Sequence, residues 1–118
     1  MDQPATFTIS HSAADRVQVF HLAGILDELA APELERRAAG LAAGPAARLV
    51  LDLSGLRYAS SVGIGALITL HKQLHAGGGL LVLANPSNAL AEMLVTLNLA
   101  AIIPVHATVE HATRHAAL

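Results

Sequence analysis

The segment that most constrains this chain is residues 51–67, LDLSGLRYASSVGIGAL. It starts inside an apolar run, RLVLDL at 48–53, which only Asp52 interrupts and which is typical of a central strand covered on both faces. A short polar stretch, the pair Ser60 and Ser61, and an apolar run with two early glycines follow. This order predicts a strand, a turn and a helix. A serine hydroxyl should then lie where the helix begins, at the rim of a sheet, with little side-chain bulk around it.

The neighbouring patterns extend this unit into a sheet. A second apolar run, GGGLLVLAN at 77–85, follows the helix, and two strands separated by a helix form a right-handed parallel crossover. Nearer the N-terminus, TFTIS at 6–10 and VQVFHLAG at 17–24 alternate or run apolar. We expect these two segments to pair as a hairpin, with 11–16 as the turn and Gly24 at the end of the second strand.

Helical spacing and turn residues predict the other elements. They are a helix over about 31–43, a helix that starts at Pro86 and Ser87, a short edge strand at 102–106, and a helix over about 109–116 capped by Thr108. The helix after Ser87 carries an apolar stripe of Leu90, Met93, Leu94 and Leu97. Asn98 can adopt the left-handed conformation that closes such a helix.

The composition excludes several classes of protein. The 118 residues, 53% hydrophobic and 14% charged, suit one domain over 1–118 that folds alone. Seven Lys and Arg against nine Asp and Glu give a net charge of -2, and aromatic residues are only 3%, so we expect no nucleic acid partner. The absence of cysteine excludes disulfides, thiolate chemistry and cysteine-based zinc sites.

The apolar segments are too short for a membrane protein. The N-terminal sequence, MDQPATFTIS, has an early acidic residue and no apolar core of a signal peptide. The longest apolar runs, such as 62–70, fall far below the roughly 20 residues that cross a bilayer. We therefore expect a cytoplasmic protein without membrane insertion.

The 51–67 segment also resembles the core signature of the STAS domain, found in sulfate transporters and anti-sigma factor antagonists. That signature combines LDLSG, an aromatic residue, a serine and a GLG-like run. The residues that follow it are Leu51, Asp52, Leu53, Ser54, Gly55, Tyr58, Ser61, Gly63, Ile64, Gly65 and Leu67. Residues 24–34 and 80–105 are similar to the flanking segments of the family. The chain thus resembles a stand-alone bacterial anti-sigma factor antagonist over about 6–112.

This resemblance implies both a fold and a function. The fold is α/β and STAS-like, with a mixed four- to five-stranded sheet and about four helices packed mainly on one face. The function is partner switching, with neither enzymatic activity nor a cofactor. The unphosphorylated domain binds an anti-sigma factor with serine kinase activity, phosphorylation ends the binding, and a Ser/Thr phosphatase resets it. The alternative is a non-phosphorylated accessory subunit of a lipid or solute transporter. Either function leaves the oligomeric state open.

The same register assigns the functional residues. It puts the phosphate on Ser61, with Ser60 as the alternate position. Many family members have an aspartate where this chain has Ser60, and a second Ser or Thr where it has Val62. The residues predicted to bind the partner are Asp27, Ser60, Ser61, Val62, Gly63 and Ile64, and Arg57 is a candidate neighbour of the phosphate.

Each of these residues also has a purely structural interpretation. A serine before a helix usually caps it, and Asp27 suits a turn or a cap. Arg57 suits a solvated turn. Gly63 and Gly65 each weaken a helix by up to about 1 kcal/mol relative to alanine, which the close approach of a partner or of the sheet would offset. We expect Gly63 to make room for the partner. No lysine of a phosphate-binding loop follows these glycines, so nucleotide hydrolysis is not supported.

The histidines raise the possibility of a metal site. His71 and His75 are one helical turn apart, as are two histidines of the last helix, and such pairs can chelate zinc. No HExxH motif and no third ligand are identifiable. Helical positions place His71 and His75 on the stripe of Leu67 and Ile68. The sequence therefore predicts partly buried packing, and no metal ligand.

Asp52 is the remaining residue of interest. An unpaired charge in a buried strand would be costly, so we expect Asp52 to accept backbone or hydroxyl hydrogen bonds in the turn that follows. The sequence alone does not combine a nucleophile, a base and an orienting group, and no catalytic residue is predicted.

Overall fold

The computed structural model describes residues 7–14, 16–42, 44 and 46–118. The elements are β1 Phe7–Ala14, β2 Val17–Leu26, α1 Ala31–Ala42, β3 Arg48–Ala59, α2 Ser61–Ala76, β4 Leu80–Ala84, α3 Asn88–Thr96, a 3₁₀ turn Leu99–Ala101, β5 Val105–His106 and α4 Val109–Ala117. None of the helices in this described part of the chain combines the length and the apolar character needed to cross a membrane. Residues 6 and 43, at predicted element ends, lie outside the described residues.

The five strands form one mixed sheet in the order β1-β2-β3-β4-β5. β1 is antiparallel to β2, and the other neighbouring pairs are parallel. α1, α2 and α3 connect consecutive parallel strands and pack on one face of the sheet, whereas α4 packs on the other. The predicted mixed sheet, with helices mainly on one face, is confirmed.

Side-chain alternation along the strands divides the apolar residues between two cores. The larger core lies between the sheet and α1 to α3 and contains Phe20, Leu51 and Leu67. On the opposite face, valines such as Val50 pack against Ala112 and Ala116 of α4. Both faces of the central strands are therefore covered, as the continuous apolar run in β3 predicts.

The hairpin turn is tighter than predicted. Residues 11–14 continue β1, where His11 pairs with Phe20 and Ala14 with Val17. The polar composition of this segment is typical of a turn, but its side chains are exposed on an edge strand, where they keep their hydration. The chain reverses at Arg16, which has a positive φ of 69°.

β2 and β3 both run past their predicted ends at Gly24 and Leu53. Two register shifts keep them paired, so that Ala23 lies opposite Gly55 and Leu26 opposite Ala59. A Cβ at Gly55 would lie 2.9 Å from the carbonyl oxygen of Leu22, so glycine permits this close pairing. The polar residues before Ser60 are therefore the end of a strand and not a turn.

The last strand is shorter than predicted. Only Val105 and His106 pair with β4, opposite Leu83 and Ala84. Pro104, which has no N–H to donate, precedes the strand, and its carbonyl oxygen accepts the N–H of Leu83. Ile102 is the C-cap of the preceding 3₁₀ turn, and the N–H groups of Ile102 and Ile103 donate to the carbonyl oxygen of Leu99, so these two residues do not pair with β4.

α2 lies directly against the end of β2, and Gly63 permits this contact. A Cβ at Gly63 would overlap the carbonyl oxygen of Leu26 and lie 2.9 Å from Leu26 Cγ. Gly63 is buried, so the expectation that it makes room for a partner is wrong: the sheet requires the glycine. At Gly65, one half-turn further on, an added Cβ would meet no atom within 4 Å.

Substitution by alanine should therefore change the free energy of unfolding in opposite directions at the two glycines. Gly63→Ala forces α2 away from β2 and should lower the free energy of unfolding by about 1–3 kcal/mol, as overpacking does. Gly65→Ala should raise it by up to about 1 kcal/mol, because alanine has the higher helix propensity and the space is empty. Urea unfolding followed by circular dichroism measures both. Equal effects of the two substitutions would contradict this account of Gly63.

Candidate functional site

The loops after β2 and β3 meet at one edge of the sheet. Leu26 and Ala59 are paired at the ends of these parallel strands, and the N–H of Ser60 donates to the carbonyl oxygen of Leu26 at 2.9 Å. Asp27 follows one strand and Ser60 follows the other. The structure thus brings Asp27 to the same edge as the serine pair.

Ser60 is the N-cap of α2. Its backbone is extended, with φ -78° and ψ 173°, and its Oγ accepts the N–H of Gly63 at 3.2 Å. Its carbonyl oxygen accepts the N–H of Ile64 at 2.9 Å, which starts the helical ladder. The hydroxyl at the alternate phosphorylation position therefore has a structural role.

Ser61 differs from its neighbour. It is the first residue of α2, it is exposed, and the cap hydrogen bond belongs to Ser60. The N-terminal end of a helix carries partial positive charge and N–H groups without helical partners. An anion attached to Ser61 Oγ would therefore lie in a favourable field.

Asp27 forms a cap-like turn at the start of α1. Its Oδ1 accepts the N–H groups of Leu29 and Ala30, each at 3.1 Å, and its carbonyl oxygen accepts the N–H of Ala31 at 2.8 Å. This is the turn and capping chemistry that the residue type favours. The carboxylate therefore fixes the loop that follows β2 at this edge of the sheet.

An apolar groove borders Ser61. It has a volume of about 450 Å³ and lies between the start of α2, the end of β3 and α3. Its lining residues are Tyr58, Ala59, Ser61, Ile64, Ala89, Glu92, Met93, Thr96 and Leu97. Tyr58 is 53% exposed, and Val62, next to Ser61 in sequence, and Leu97 are each 51% exposed. We call Tyr58, Ser61, Val62 and Leu97 the docking surface.

The predicted binding residues other than Asp27 and Ser60 differ in their exposure. Ser61 and Val62 are exposed, and Ile64 is buried but lines the groove. Gly63 packs against Leu26 inside the protein and offers no contact surface. Arg57 is exposed near the end of β3 and does not line the groove, so its role beside a phosphate stays a prediction.

The sequence pattern does not predict that α3 contributes to the groove beside Ser61. Leu97 belongs to the apolar stripe that predicts the buried face, yet it is the C-cap of α3 and half exposed. The signal was present in the sequence: Asn98 marks the end of the helix, and it adopts the expected left-handed conformation, with φ 61°. A residue at a helix end need not follow the buried stripe.

Four of the seven histidines form two pairs, and the described residues contain no group of three or more potential metal ligands. The rings of His71 and His75 stack with centroids 5.8 Å apart. His71 is half-buried as predicted, whereas His75 is exposed, because the buried stripe of α2 continues through Leu74. Elsewhere, His106 Nε2 lies 2.7 Å from His115 Nδ1, which ties β5 to α4.

Asp52 has an unexpected partner. It is 9% exposed, and its Oδ1 accepts a backbone N–H as predicted, from Ser54 at 3.0 Å, although Ser54 lies within β3 and not in a turn. Its Oδ2 lies 2.7 Å from Nδ1 of His21. Burial by itself would raise the pKa of Asp52, but the hydrogen bonds from His21 and Ser54 outweigh it and hold the pKa below its ordinary value. Asp52 is therefore ionised at neutral pH.

Comparison with known proteins identifies related folds. A family model of the STAS domain matches residues 9–112. An anti-sigma factor antagonist from Mycobacterium paratuberculosis is similar with a TM-score of 0.83 and 26% identity, over 98% of each chain. The phosphorylated Bacillus cell fate determinant SpoIIAA gives a TM-score of 0.70 and 21% identity, over 92% of this chain and 98% of that one. The murine anion transporter Slc26a9 gives 0.73 and 17%, over 86% of this chain and 18% of the transporter. Curated protein sequences gave no match.

The two serines should differ in their effect on stability. Ser60→Ala removes the cap of α2 and should lower the free energy of unfolding by about 1 kcal/mol. Ser61→Ala removes an exposed hydroxyl outside the cap and should change it by less than about 0.5 kcal/mol. Thermal and urea unfolding of both variants measure the difference. A larger loss in Ser61→Ala than in Ser60→Ala would show that the cap assignment is wrong.

Proposed function

This chain belongs to the STAS domain family, and we propose that it is an anti-sigma factor antagonist controlled by phosphorylation of Ser61. Unphosphorylated, it binds an anti-sigma factor that is also a serine kinase, and a sigma factor is thereby freed. Phosphate on Ser61 ends the binding, and a Ser/Thr phosphatase restores it. In this cycle, which we place in the cytoplasm, the protein is substrate and ligand and has no catalytic part.

One observation carries the proposal: the exposed hydroxyl of Ser61 borders an apolar groove at the start of a helix. Half-exposed apolar side chains such as Tyr58 and Leu97 supply contact area to a partner. A kinase that binds this surface would have Ser61 within the interface. The same surface would then serve both binding and modification.

Phosphorylation would change this surface much more than it would change the fold. A phosphate adds about -1.5 to -2 charges, and the start of α2 provides a positive field for them without a rearrangement. A bound partner, however, would have to cover that charge with apolar surface, which costs free energy because the charge loses its hydration. The modified protein should stay folded and lose its partner.

Substitutions of Ser61 test the switch. Ser61→Ala should keep the partner bound and accept no phosphate. Ser61→Asp places a single charge on the docking surface and should weaken binding at least tenfold, or about 1.4 kcal/mol. Affinity is measured by calorimetry with the purified anti-sigma factor, and the phosphate is located by mass spectrometry after incubation with ATP.

Ser60→Ala is the matched control for these variants. It costs a helix cap but should still be phosphorylated at Ser61. Phosphate on Ser60 would move the site by one residue. If neither serine is phosphorylated and Ser61→Asp binds as the unmodified protein does, the switch is excluded. The second candidate function, a permanent docking subunit of a transporter, would then be favoured, as the likeness to a part of an anion transporter allows.

The docking surface can be tested apart from the phosphate. Leu97 and Ile102 are each 51% exposed, but only Leu97 lines the groove beside Ser61. Leu97→Ala should weaken partner binding about fivefold or more, which corresponds to about 1 kcal/mol, whereas Ile102→Ala should leave it unchanged. Calorimetry on both variants measures this difference. Equal losses of affinity in the two variants would show that the partner does not bind at the groove beside Ser61.

A further inference from the structure

A serine, a histidine and an aspartate form a hydrogen-bonded row on the face of the sheet opposite α1 to α3. Ser12 Oγ lies 2.9 Å from Nε2 of His21, and Nδ1 of the same ring lies 2.7 Å from Oδ2 of Asp52. The three residues belong to β1, β2 and β3. We call them the Ser12 row.

The sheet register creates this row. His21 and Asp52 are direct neighbours in the parallel pairing of β2 and β3. Ser12 pairs with Val19, which is two residues before His21 and therefore on the same face. Val19 belongs to the core under α4, which fixes that face. No spacing along the chain reveals the row, because its members are 9 and 31 residues apart.

The hydrogen bonds determine which ring nitrogen carries the proton. The ionised carboxylate of Asp52 can only accept a hydrogen bond, so Nδ1 of His21 must donate it. In a neutral imidazole Nε2 is then unprotonated and accepts the proton of Ser12 Oγ. His21 thus presents its basic nitrogen to the serine, which is the arrangement that activates a hydroxyl nucleophile.

The row is accessible at its reactive end. Ser12 is exposed and the His21 side chain is 38% exposed, while the side chain of Asp52 is only 13% exposed. Two residues beyond Ser12 on the same face, roughly 7 Å away, Ala14 lines a groove of about 400 Å³. α4 supplies the other lining residues, which are Val109, Glu110, Thr113 and Arg114. Neither Ser12 nor His21 lines this groove, so an acyl chain bound there would have to extend along β1 for its carbonyl carbon to reach the hydroxyl of Ser12.

We infer that Ser12 is a nucleophile that accepts an acyl group from an activated acyl ester, with His21 as its base and Asp52 as the positioning residue. Ser12 Oγ forms a bond to the acyl carbon as Nε2 of His21 takes the hydroxyl proton. The bond from that carbon to the leaving oxygen breaks, and His21 returns the proton to this oxygen. The products are acyl-Ser12 and an alcohol.

This site is separate from the docking surface. Ser61 lies at the edge of the sheet, on the side of α2 and α3, whereas Ser12 lies on the side of α4. Failure of the phosphorylation switch would therefore leave the acylation of Ser12 unaffected, and the reverse also holds.

The experiment uses p-nitrophenyl acetate on the folded full chain, with peptide mass spectrometry as the readout. Ser10 and Ser12 fall in the same tryptic peptide, residues 1–16. Ser10 is also exposed and lies directly opposite His21 in the β1–β2 pairing, but Nε2 of His21 is hydrogen-bonded to Ser12, so Ser10 is a stringent internal control. We expect at least tenfold more acetyl on Ser12 than on Ser10. Ser12→Ala should lose this acetyl group, and Ser10→Ala should keep it.

Two variants distinguish activation from mere exposure. His21→Gln keeps a polar side chain but removes the base, and it should lower acetylation of Ser12 at least tenfold. Asp52→Asn should do the same and also change the ring signals of His21 in ¹H–¹⁵N spectra, which report the protonated nitrogen. Equal labelling of Ser10 and Ser12, or labelling of Ser12 that survives in His21→Gln, would overturn the inference and leave the row as a structural tie between strands.

Discussion

The parallel pairing of β2 and β3 up to Leu26 and Ala59 is the constraint on which the site depends. It allows the N–H of Ser60 to donate a hydrogen bond to the carbonyl oxygen of Leu26, so α2 begins directly at the edge of the sheet. Gly63 then rests against the same residue, and no larger side chain fits there. The position of Ser61 is fixed by backbone contacts rather than by its own side chain, which leaves its hydroxyl free for other chemistry.

The sequence predicts the fold well because its signals are local. The apolar run of β3, the helix that begins at the serine pair and the cap at Thr108 all agree with the structure, and α3 begins within two residues of its predicted start. The STAS-like α/β fold implied by the resemblance is confirmed by the family match and by the related structures. The prediction is wrong where strand pairing overrides composition. Residues 54–59 have the composition of a turn, yet their pairing with β2 keeps them in β3.

The site was less predictable, since it depends on contacts between distant segments. That Ser60 caps α2 while Ser61 is exposed follows from the chain near the helix start. The packing of Gly63 on Leu26 and the groove that α2 and α3 form beside Ser61 depend on tertiary structure. The Ser12 row is the clearest case, because each of its residues is unremarkable in sequence and only the register of three strands brings them together.

The resemblance to the family implies an aspartate in many members where this chain has Ser60, and this difference bears on the switch that we propose. Serine and aspartate are comparably good N-caps, and Ser60 Oγ accepts the N–H of Gly63 as a carboxylate oxygen would. An aspartate at this position would add a negative charge beside a phosphate on Ser61 and would partly cancel the positive field of α2. The neutral cap preserves the helix and avoids this repulsion. If Ser61 is phosphorylated as we propose, Ser60 should therefore stabilise the phosphorylated state relative to an aspartate at this position. Ser60 would also remove a carboxylate from the surface that the proposed kinase contacts next to Ser61.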